Sequence, residues 1–158
     1  MILPSAMLTY IPCMQDFATN GNSPSLRPSI EDQQHGPTIS VVDDDESMRC
    51  ALKRLVASLG FKAYTFASAE QFLDSPRVND TSCLITDLHM PGLDGIELQQ
   101  SLLAQGRHIP IIFVTAFPEE RMRARAMDAG ALGFLGKPFE SSTLVELIDQ
   151  AVESGRKA

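Results

Sequence analysis

Four of the short apolar runs in the sequence end at, or just before, a residue that could take part in phosphoryl or metal chemistry. The set comprises three consecutive aspartates, a further aspartate, a threonine and a lysine: Asp43, Asp44, Asp45, Asp87, Thr115 and Lys137. If the runs are parallel strands, their carboxyl ends share one edge of a sheet, and these side chains come close together.

The charges of such a cluster indicate what it could bind. Two unit charges roughly 4 Å apart repel by about 4 kcal/mol at an effective dielectric constant of about 20, so neighbouring carboxylates require protons or a cation. Hard carboxylate oxygens favour Mg²⁺, which commonly takes a phosphate oxygen as a further ligand. Lys137 could pair with a carboxylate or a phosphoryl oxygen, and the Thr115 hydroxyl could donate to the same group. The set suits chemistry in which an aspartate carries a phosphoryl group.

The spacing of hydrophobic residues predicts five strand–helix repeats after residue 36. The predicted strands are Thr38–Val42, Lys62–Phe66, Ser82–Asp87, Ile109–Thr115 and Leu132–Leu135. Apolar residues at helical spacing follow each strand, and Ser68 with Gln71 has the form of a capping box before the second helix. Gly60 is a natural residue to end the first helix.

This alternation predicts a doubly wound α/β domain, in which an all-parallel sheet carries helices on both faces. Ligands bind such sheets at the carboxyl ends of the strands. A single aspartate at a strand end is usually a helix cap, which is the role we expect for Asp45, and a threonine there is often a turn residue. Capping explains each residue alone but poorly explains four strand ends at once, which favours the functional interpretation.

These residues and their neighbours resemble the receiver domain of two-component response regulators, a family with a flavodoxin-like (βα)5 fold. The resemblance covers roughly residues 38–152, and it rests on Val41–Asp45, Leu84–Gly95, Val114–Ala116, Gly133–Phe134 and Lys137–Phe139. The segment Thr65–Phe72 is further similar to receivers of the FixJ type, which ordinarily precede a helix-turn-helix DNA-binding domain. We expect no such output domain in this chain.

The resemblance implies that Asp87 accepts a phosphoryl group from a sensor histidine kinase or phosphotransfer protein. It implies Mg²⁺ held by Asp43, Asp44 and Asp87, with the backbone carbonyl of His89 as a further ligand. Lys137, followed by a cis-proline turn, would contact the phosphoryl oxygens. The chain would slowly hydrolyse its own phosphoaspartate, so it is a self-phosphorylating receiver and not a turnover enzyme on an external substrate.

The resemblance also implies a switch in which Thr115 moves toward the phosphoryl group and Phe134 occupies the vacated space. The family usually has tyrosine at the position of Phe134, so any partner hydrogen bond through that hydroxyl is lost here. Phe134 could instead be a simple core residue.

Composition and charge limit the class of protein. Hydrophobic residues make up 44% of the chain and charged residues 21%, which is close to ordinary globular proteins. The net charge of -7 argues against a surface dedicated to nucleic acid or anionic lipid. Three widely spaced cysteines with no Cys-x-x-Cys predict neither a disulfide framework nor a zinc site. With no visible export signal, the expected location is the cytoplasm.

The expected organisation is a disordered tail over residues 1–36, a receiver domain over 37–154 and a short polar end over 155–158. An alternative for the tail is a docking arm with an apolar anchor at residues 7–17, and the true start of translation stays open. Homodimerisation and a downstream protein target are expected from analogy with other receivers.

Two other classes of protein fit part of the pattern. A hydrolase of the haloacid dehalogenase type also uses Mg²⁺ and a nucleophilic aspartate, but it would need a second acid where this chain has His89. A receiver-like interaction module that is never phosphorylated usually lacks the acidic pair or the lysine, and all of these are present. The chain could also be a phosphate sink or the receiver of a longer transcription regulator.

Overall fold

A five-stranded parallel sheet forms the centre of the computed structural model, which describes residues 36–157. Its strands are β1 (Thr38–Val42), β2 (Lys62–Phe66), β3 (Thr81–Asp87), β4 (Ile111–Thr115) and β5 (Gly133–Gly136). Their spatial order is β2-β1-β3-β4-β5. The prediction of a doubly wound parallel sheet is confirmed, whereas the predicted N-terminal tail lies, apart from Gly36, outside the described residues.

One helix follows each strand. The helices are α1 (Glu46–Ser58), α2 (Ala69–Asp74), α3 (Gly95–Ala104), α4 (Glu120–Asp128) and α5 (Ser141–Lys157), with a 3₁₀ turn at Pro76–Asn79. Within residues 36–157, no helix has the length and apolar character needed to cross a membrane.

The two core clusters show that helices cover both faces of the sheet. One cluster joins the sheet to α2, α3 and α4 through residues such as Phe72, Leu98 and Ala126. The other joins it to α1 and α5 through Leu52 and Ile148, among others. Because β1 and β3 are neighbours while α1 and α3 pack on opposite faces, the crevice at this switch point opens at the carboxyl ends of the strands.

Helix starts follow local side-chain chemistry. Asp45 caps α1, as predicted, by accepting a hydrogen bond from the Ser47 amide at 2.9 Å. Ser68 caps α2 by accepting from Gln71, but the Gln71 side chain accepts from the amide of Ala67 and not from that of Ser68. The reciprocal pair expected of a capping box is therefore displaced by one residue at α2.

Two strands begin later than predicted. β4 starts at Ile111 and not at Ile109, because Pro110 has no N–H to donate to a neighbouring strand. β5 starts at Gly133 and not at Leu132. A Cβ at Gly133 would lie 2.5 Å from the Leu147 side chain, so this glycine lets α5 approach the sheet closely.

Candidate functional site

The carboxylate of Asp43 is fixed directly after β1. The residue is 0% exposed, and its amide donates to the carbonyl of Phe66 at 3.1 Å. One carboxylate oxygen accepts from the Asp45 amide at 2.9 Å, and the other accepts from the Lys137 ammonium at 3.0 Å. Asp43 is thus held through both its backbone and its side chain.

Lys137 connects two aspartates. It directly follows β5, and its Nζ atom lies 3.0 Å from Oδ2 of Asp43 and 3.5 Å from Oδ2 of Asp87. Its amide donates to the carbonyl of Thr115 at 2.7 Å, and the Lys137–Pro138 peptide is cis, as the family resemblance implied. The lysine side chain is only 15% exposed, so its ammonium has few alternatives to these carboxylates.

Burial and ion pairing have opposite effects on the pKa of Asp43 and on the pKa of Lys137. Burial raises the pKa of Asp43, although the Asp45 amide and Lys137 pull it down. Burial alone would lower the pKa of Lys137, but its contacts with Asp43 and Asp87 outweigh that effect and raise it. Lys137 therefore remains charged, and its charge is what makes a buried carboxylate at Asp43 tolerable.

Three carboxylates form a group that could hold a cation. Asp43, Asp44 and Asp87 each offer one oxygen, and these oxygens all lie within 4.8 Å of one another. Asp43 and Asp87 are buried, whereas Asp44 is exposed. An all-oxygen, carboxylate-rich donor set fits Mg²⁺ better than metals that prefer nitrogen or sulfur.

Asp87 ends β3 and begins a loop that is held at several points. The His89 amide donates to Asp87 Oδ1 at 3.3 Å, and the Gly95 amide donates to the Leu88 carbonyl at 2.9 Å. A Cβ at Gly95 would lie 2.5 Å from the Asp87 carbonyl oxygen, so only glycine lets the start of α3 come this close. Glu70 of α2 accepts from the Leu93 amide at 3.1 Å and secures the far side of the loop.

Thr115 and Phe134 lie on the two strands between Asp87 and Lys137. Asp87 pairs with Val114 in the sheet, and Thr115 follows as the last residue of β4. The Thr115 hydroxyl is buried and accepts from the Phe117 amide at 3.1 Å. Phe134 is partly buried, and its ring centroid lies 6.0 Å from that of Phe113.

The structure brings together Asp43, Asp44, Asp87 and Lys137 among the residues that the sequence singled out. Two nearby residues were missed. Arg49 of α1 donates from Nη1 to the carbonyl of Asp43 at 2.7 Å. Phe117 is 70% exposed, and its ring centroid lies 6.2 Å from that of His89.

The sequence gives weak signals for both missed residues. Arg49 follows the acidic run by one helical turn, but its partner is a backbone carbonyl, which no residue pattern reveals. Phe117 is an apolar residue placed directly after a strand end, where the hydrophobic pattern of the strand no longer applies.

Comparisons with known proteins agree with this geometry. The family described as the response regulator receiver domain matches residues 39–149. Nodulation protein W of Bradyrhizobium diazoefficiens is 42% identical over 119 residues, covering 75% of this chain and 52% of the relative. The transcriptional regulatory protein FixJ of the same species is 39% identical over 120 residues, covering 76% and 58%. The chain spans about half the length of the curated relatives it matches.

Solved structures show the same similarity. A low-resolution structure of the response regulator StyR is 45% identical and has a TM-score of 0.72, with 77% of this chain and 62% of that chain covered. The FixJ-N crystal structure is 38% identical, with a TM-score of 0.68 and coverage of 75% and 95%.

Proposed function

The chain belongs to the response regulator receiver family, and from that premise we propose that it accepts a phosphoryl group on Asp87 and signals through the resulting conformational change. The observation that carries the proposal is the Lys137 ammonium between the carboxylates of Asp43 and Asp87, at 3.0 and 3.5 Å. When Asp87 is phosphorylated, negative charge accumulates on the phosphoryl oxygens. The Lys137 ammonium can then pair with one of these oxygens, because it already lies beside the Asp87 carboxylate.

The reaction assigns a distinct task to each residue. An oxygen of the Asp87 carboxylate attacks the phosphorus of a phosphohistidine, and the P–N bond breaks with its electron pair remaining on the imidazole. Lys137 pairs with a phosphoryl oxygen as charge accumulates there, because it already contacts Asp87. Asp43, Asp44 and Asp87, with the backbone carbonyl of His89, would hold Mg²⁺, which supplies further positive charge to the phosphoryl oxygens when bound.

The conformational change starts at Thr115. Its buried hydroxyl turns from the Phe117 amide toward the phosphoryl group, and Phe134 moves into the space that it leaves. The contacts of Thr115 and Phe134 support this sequence. Within residues 36–157 the Thr115 hydroxyl has a single hydrogen bond to exchange, and the phenylalanine ring is only partly buried.

The proposed partners follow from the phosphodonor chemistry. They are a sensor histidine kinase or phosphotransfer protein, a downstream protein target and a second copy of the chain. The net charge of -7 supports a role without direct nucleic-acid contact and without membrane binding. The proposed location is the cytoplasm. Slow hydrolysis of the phosphoaspartate by the chain itself would end the signal.

The test is intact-mass detection of phosphorylation by acetyl phosphate with and without Mg²⁺. Wild-type protein is compared with Asp87→Asn and with Asp74→Asn, which removes an exposed carboxylate at the end of α2. We expect a Mg²⁺-dependent, hydroxylamine-labile adduct in the wild type and in Asp74→Asn, and none in Asp87→Asn.

The opposite result would be equally informative. If folded wild-type protein forms no adduct and binds no beryllofluoride, Asp87 is not a phosphoacceptor. A receiver-like interaction module would then be the better account of the chain.

A further inference from the structure

Arg49 occupies an unusual place for a cation beside an acidic cluster. Its Nη1 atom donates to the backbone carbonyl of Asp43 at 2.7 Å. Across residues 36–157, its guanidinium forms no ion pair with a carboxylate, whereas Lys137 contacts both Asp43 and Asp87. Lys137 therefore pairs with the carboxylates, while Arg49 holds the backbone that carries them.

The carbonyl that Arg49 holds determines where Asp44 points. The Asp43 carbonyl and the Asp44 amide belong to one planar peptide unit, so fixing the carbonyl fixes the direction in which Asp44 leaves the strand. Asp44 is exposed, in contrast to the buried Asp43 and Asp87. Its placement therefore depends on its backbone more than on packing around its side chain.

The contact also closes a ring of hydrogen bonds. The Asp45 amide donates to Asp43 Oδ1 at 2.9 Å, and the Arg49 amide donates to the Asp45 carbonyl at 3.0 Å in the first turn of α1. The Arg49 side chain then returns to the Asp43 carbonyl. The three contacts tie the acidic loop to the start of α1 as one unit.

We propose that Arg49 is a positioning residue for the divalent cation site, and that it acts by orienting the Asp43–Asp44 peptide so that the Asp44 carboxylate is ready to bind Mg²⁺. The inference rests on the proposed function, because it concerns the same acidic site. It assigns a role to a residue that neither accepts the phosphoryl group nor binds the metal.

The sign of the effect separates positioning from simple electrostatics. A positive charge near a cation site opposes cation binding, so removing Arg49 for its charge alone should tighten Mg²⁺ binding. If Arg49 acts through the peptide, its removal should weaken binding instead. Groups that orient metal ligands typically affect metal affinity by about tenfold to a hundredfold.

The experiment measures Mg²⁺ and Ca²⁺ affinity of the full chain by NMR titration, without any phosphodonor. The variants are Arg49→Met, Arg49→Lys and the matched control Arg54→Met, which removes an exposed arginine from the same helix. We expect Mg²⁺ affinity to fall about tenfold in Arg49→Met, to fall less in Arg49→Lys, and to stay unchanged in Arg54→Met.

The comparison with Ca²⁺ excludes a general loss of structure. Mg²⁺ demands near-ideal octahedral geometry, whereas Ca²⁺ tolerates irregular sites. We therefore expect Arg49→Met to lose more affinity for Mg²⁺ than for Ca²⁺. Equal loss for both ions, or tighter Mg²⁺ binding, would overturn the positioning role.

A second measurement keeps the inference separate from the proposed function. In metal-free protein, hydrogen exchange of the Asp45 amide reports its bond to Asp43 Oδ1. We expect faster exchange in Arg49→Met than in Arg54→Met, and unchanged exchange would overturn the inference. If wild-type protein binds no Mg²⁺ but Arg49→Met still speeds this exchange, the metal site fails while the effect of Arg49 on the loop stands.

Discussion

Polar side chains are buried both at the carboxyl edge of the sheet and in the interior between α3 and α4. The two regions differ in whether every buried polar atom of Asp43 or Gln99 has a hydrogen-bond partner among the described residues. At the edge, Asp43 is 0% exposed and both of its carboxylate oxygens accept hydrogen bonds. In the interior, Gln99 is 2% exposed and donates from Nε2 to the Ala126 carbonyl at 3.0 Å. Its Oε1 atom has no hydrogen-bond partner within the described part of the chain.

The difference indicates what each region is built to do. A site that binds charged groups needs each carboxylate at a defined position. Hydrogen bonds and ion pairs from residues at the ends of several strands hold the carboxylates there. The α3–α4 contact has no such requirement. Ala126 is the one fully buried residue of α4, and within residues 36–157 Glu119 at the N-cap position makes no side-chain cap hydrogen bond. An unsatisfied buried oxygen there costs about 1–3 kcal/mol of stability, which the fold tolerates.

The largest expected effect is on the phosphorylation rate and comes from removing the Lys137 ammonium at the carboxyl edge of the sheet. In Lys137→Met, phosphorylation by acetyl phosphate should slow by about a hundredfold or more, because a donor to the developing phosphoryl charge is lost. The rate is measured by intact mass over time, with circular dichroism as a check on folding. Lys53→Met removes an exposed lysine of α1 and should leave the rate unchanged. A wild-type rate in Lys137→Met would mean that the ammonium has no part in the transfer.

The next largest effect should come from adding a methyl group at Gly95, which would crowd the backbone at the same edge of the sheet. A Cβ at Gly95 would lie 2.5 Å from the Asp87 carbonyl and 2.9 Å from the Phe113 ring, so Gly95→Ala should lower the free energy of unfolding by about 1–3 kcal/mol.

The control for crowding is a glycine in open space. Gly155 lies in α5, and no atom of the described part of the chain lies within 4 Å of a Cβ added there, so Gly155→Ala should raise stability by roughly 0.5–1 kcal/mol. Urea unfolding measures both variants. If Gly95→Ala is as stable as the wild type, the loop after Asp87 must shift to accommodate the added methyl group. The edge of the sheet would then be less rigid than its contacts indicate.

The strand ends could be predicted from sequence because parallel strands place their last residues at one edge whatever the details of packing. Thus the pattern predicts that Asp43, Asp87 and Lys137 share one edge of the sheet, and it predicts Asp45 as a helix cap. The fold class followed from the alternation of short apolar runs and helical spacing. These features depend on local sequence and on the geometry of a sheet.

Contacts that depend on the backbone or on the choice of neighbour were not predictable. Arg49 binds a carbonyl, and every residue carries one, so its partner leaves no trace in the sequence. Gln99 is a polar residue in an amphipathic helix, and its bond to the Ala126 carbonyl depends on where α4 packs. Their roles depend on how elements far apart in the chain meet.

Removing the buried Oε1 atom of Gln99, which has no hydrogen-bond partner within the described part of the chain, should raise the free energy of unfolding. Gln99→Met removes Oε1, and the Ala126 carbonyl keeps a partner because it also accepts from the Ala131 amide at 3.0 Å. We expect a gain of about 1 kcal/mol in the free energy of unfolding. Gln100→Met changes an exposed glutamine on the same helix and should shift stability by less than about 0.5 kcal/mol. A clear loss in Gln99→Met would show that a water satisfies Oε1.

The last expected effect is confined to alkaline pH and concerns Cys83, which lies on β3 four residues before Asp87. Burial raises the pKa of its thiol from 9.0 to about 12, so the folded protein keeps this group neutral where the unfolded chain ionises it. Because the folded pKa is the higher one, the stabilisation is complete below about pH 9 and is lost as pH rises toward 12, by roughly 1 kcal/mol per pH unit.

Comparing wild-type protein with Cys83→Ala isolates this contribution, since other groups titrate in both. Cys83→Ala should be less stable at neutral pH, because it leaves a small cavity in the core. Its urea midpoint should nevertheless fall less steeply than that of the wild type above about pH 9. Parallel curves would mean that water reaches β3 and that the thiol ionises in place. Cys83 packs between the sheet and the helices α1 and α5, so this part of the core would then admit charge as readily as the edge of the sheet at Asp87.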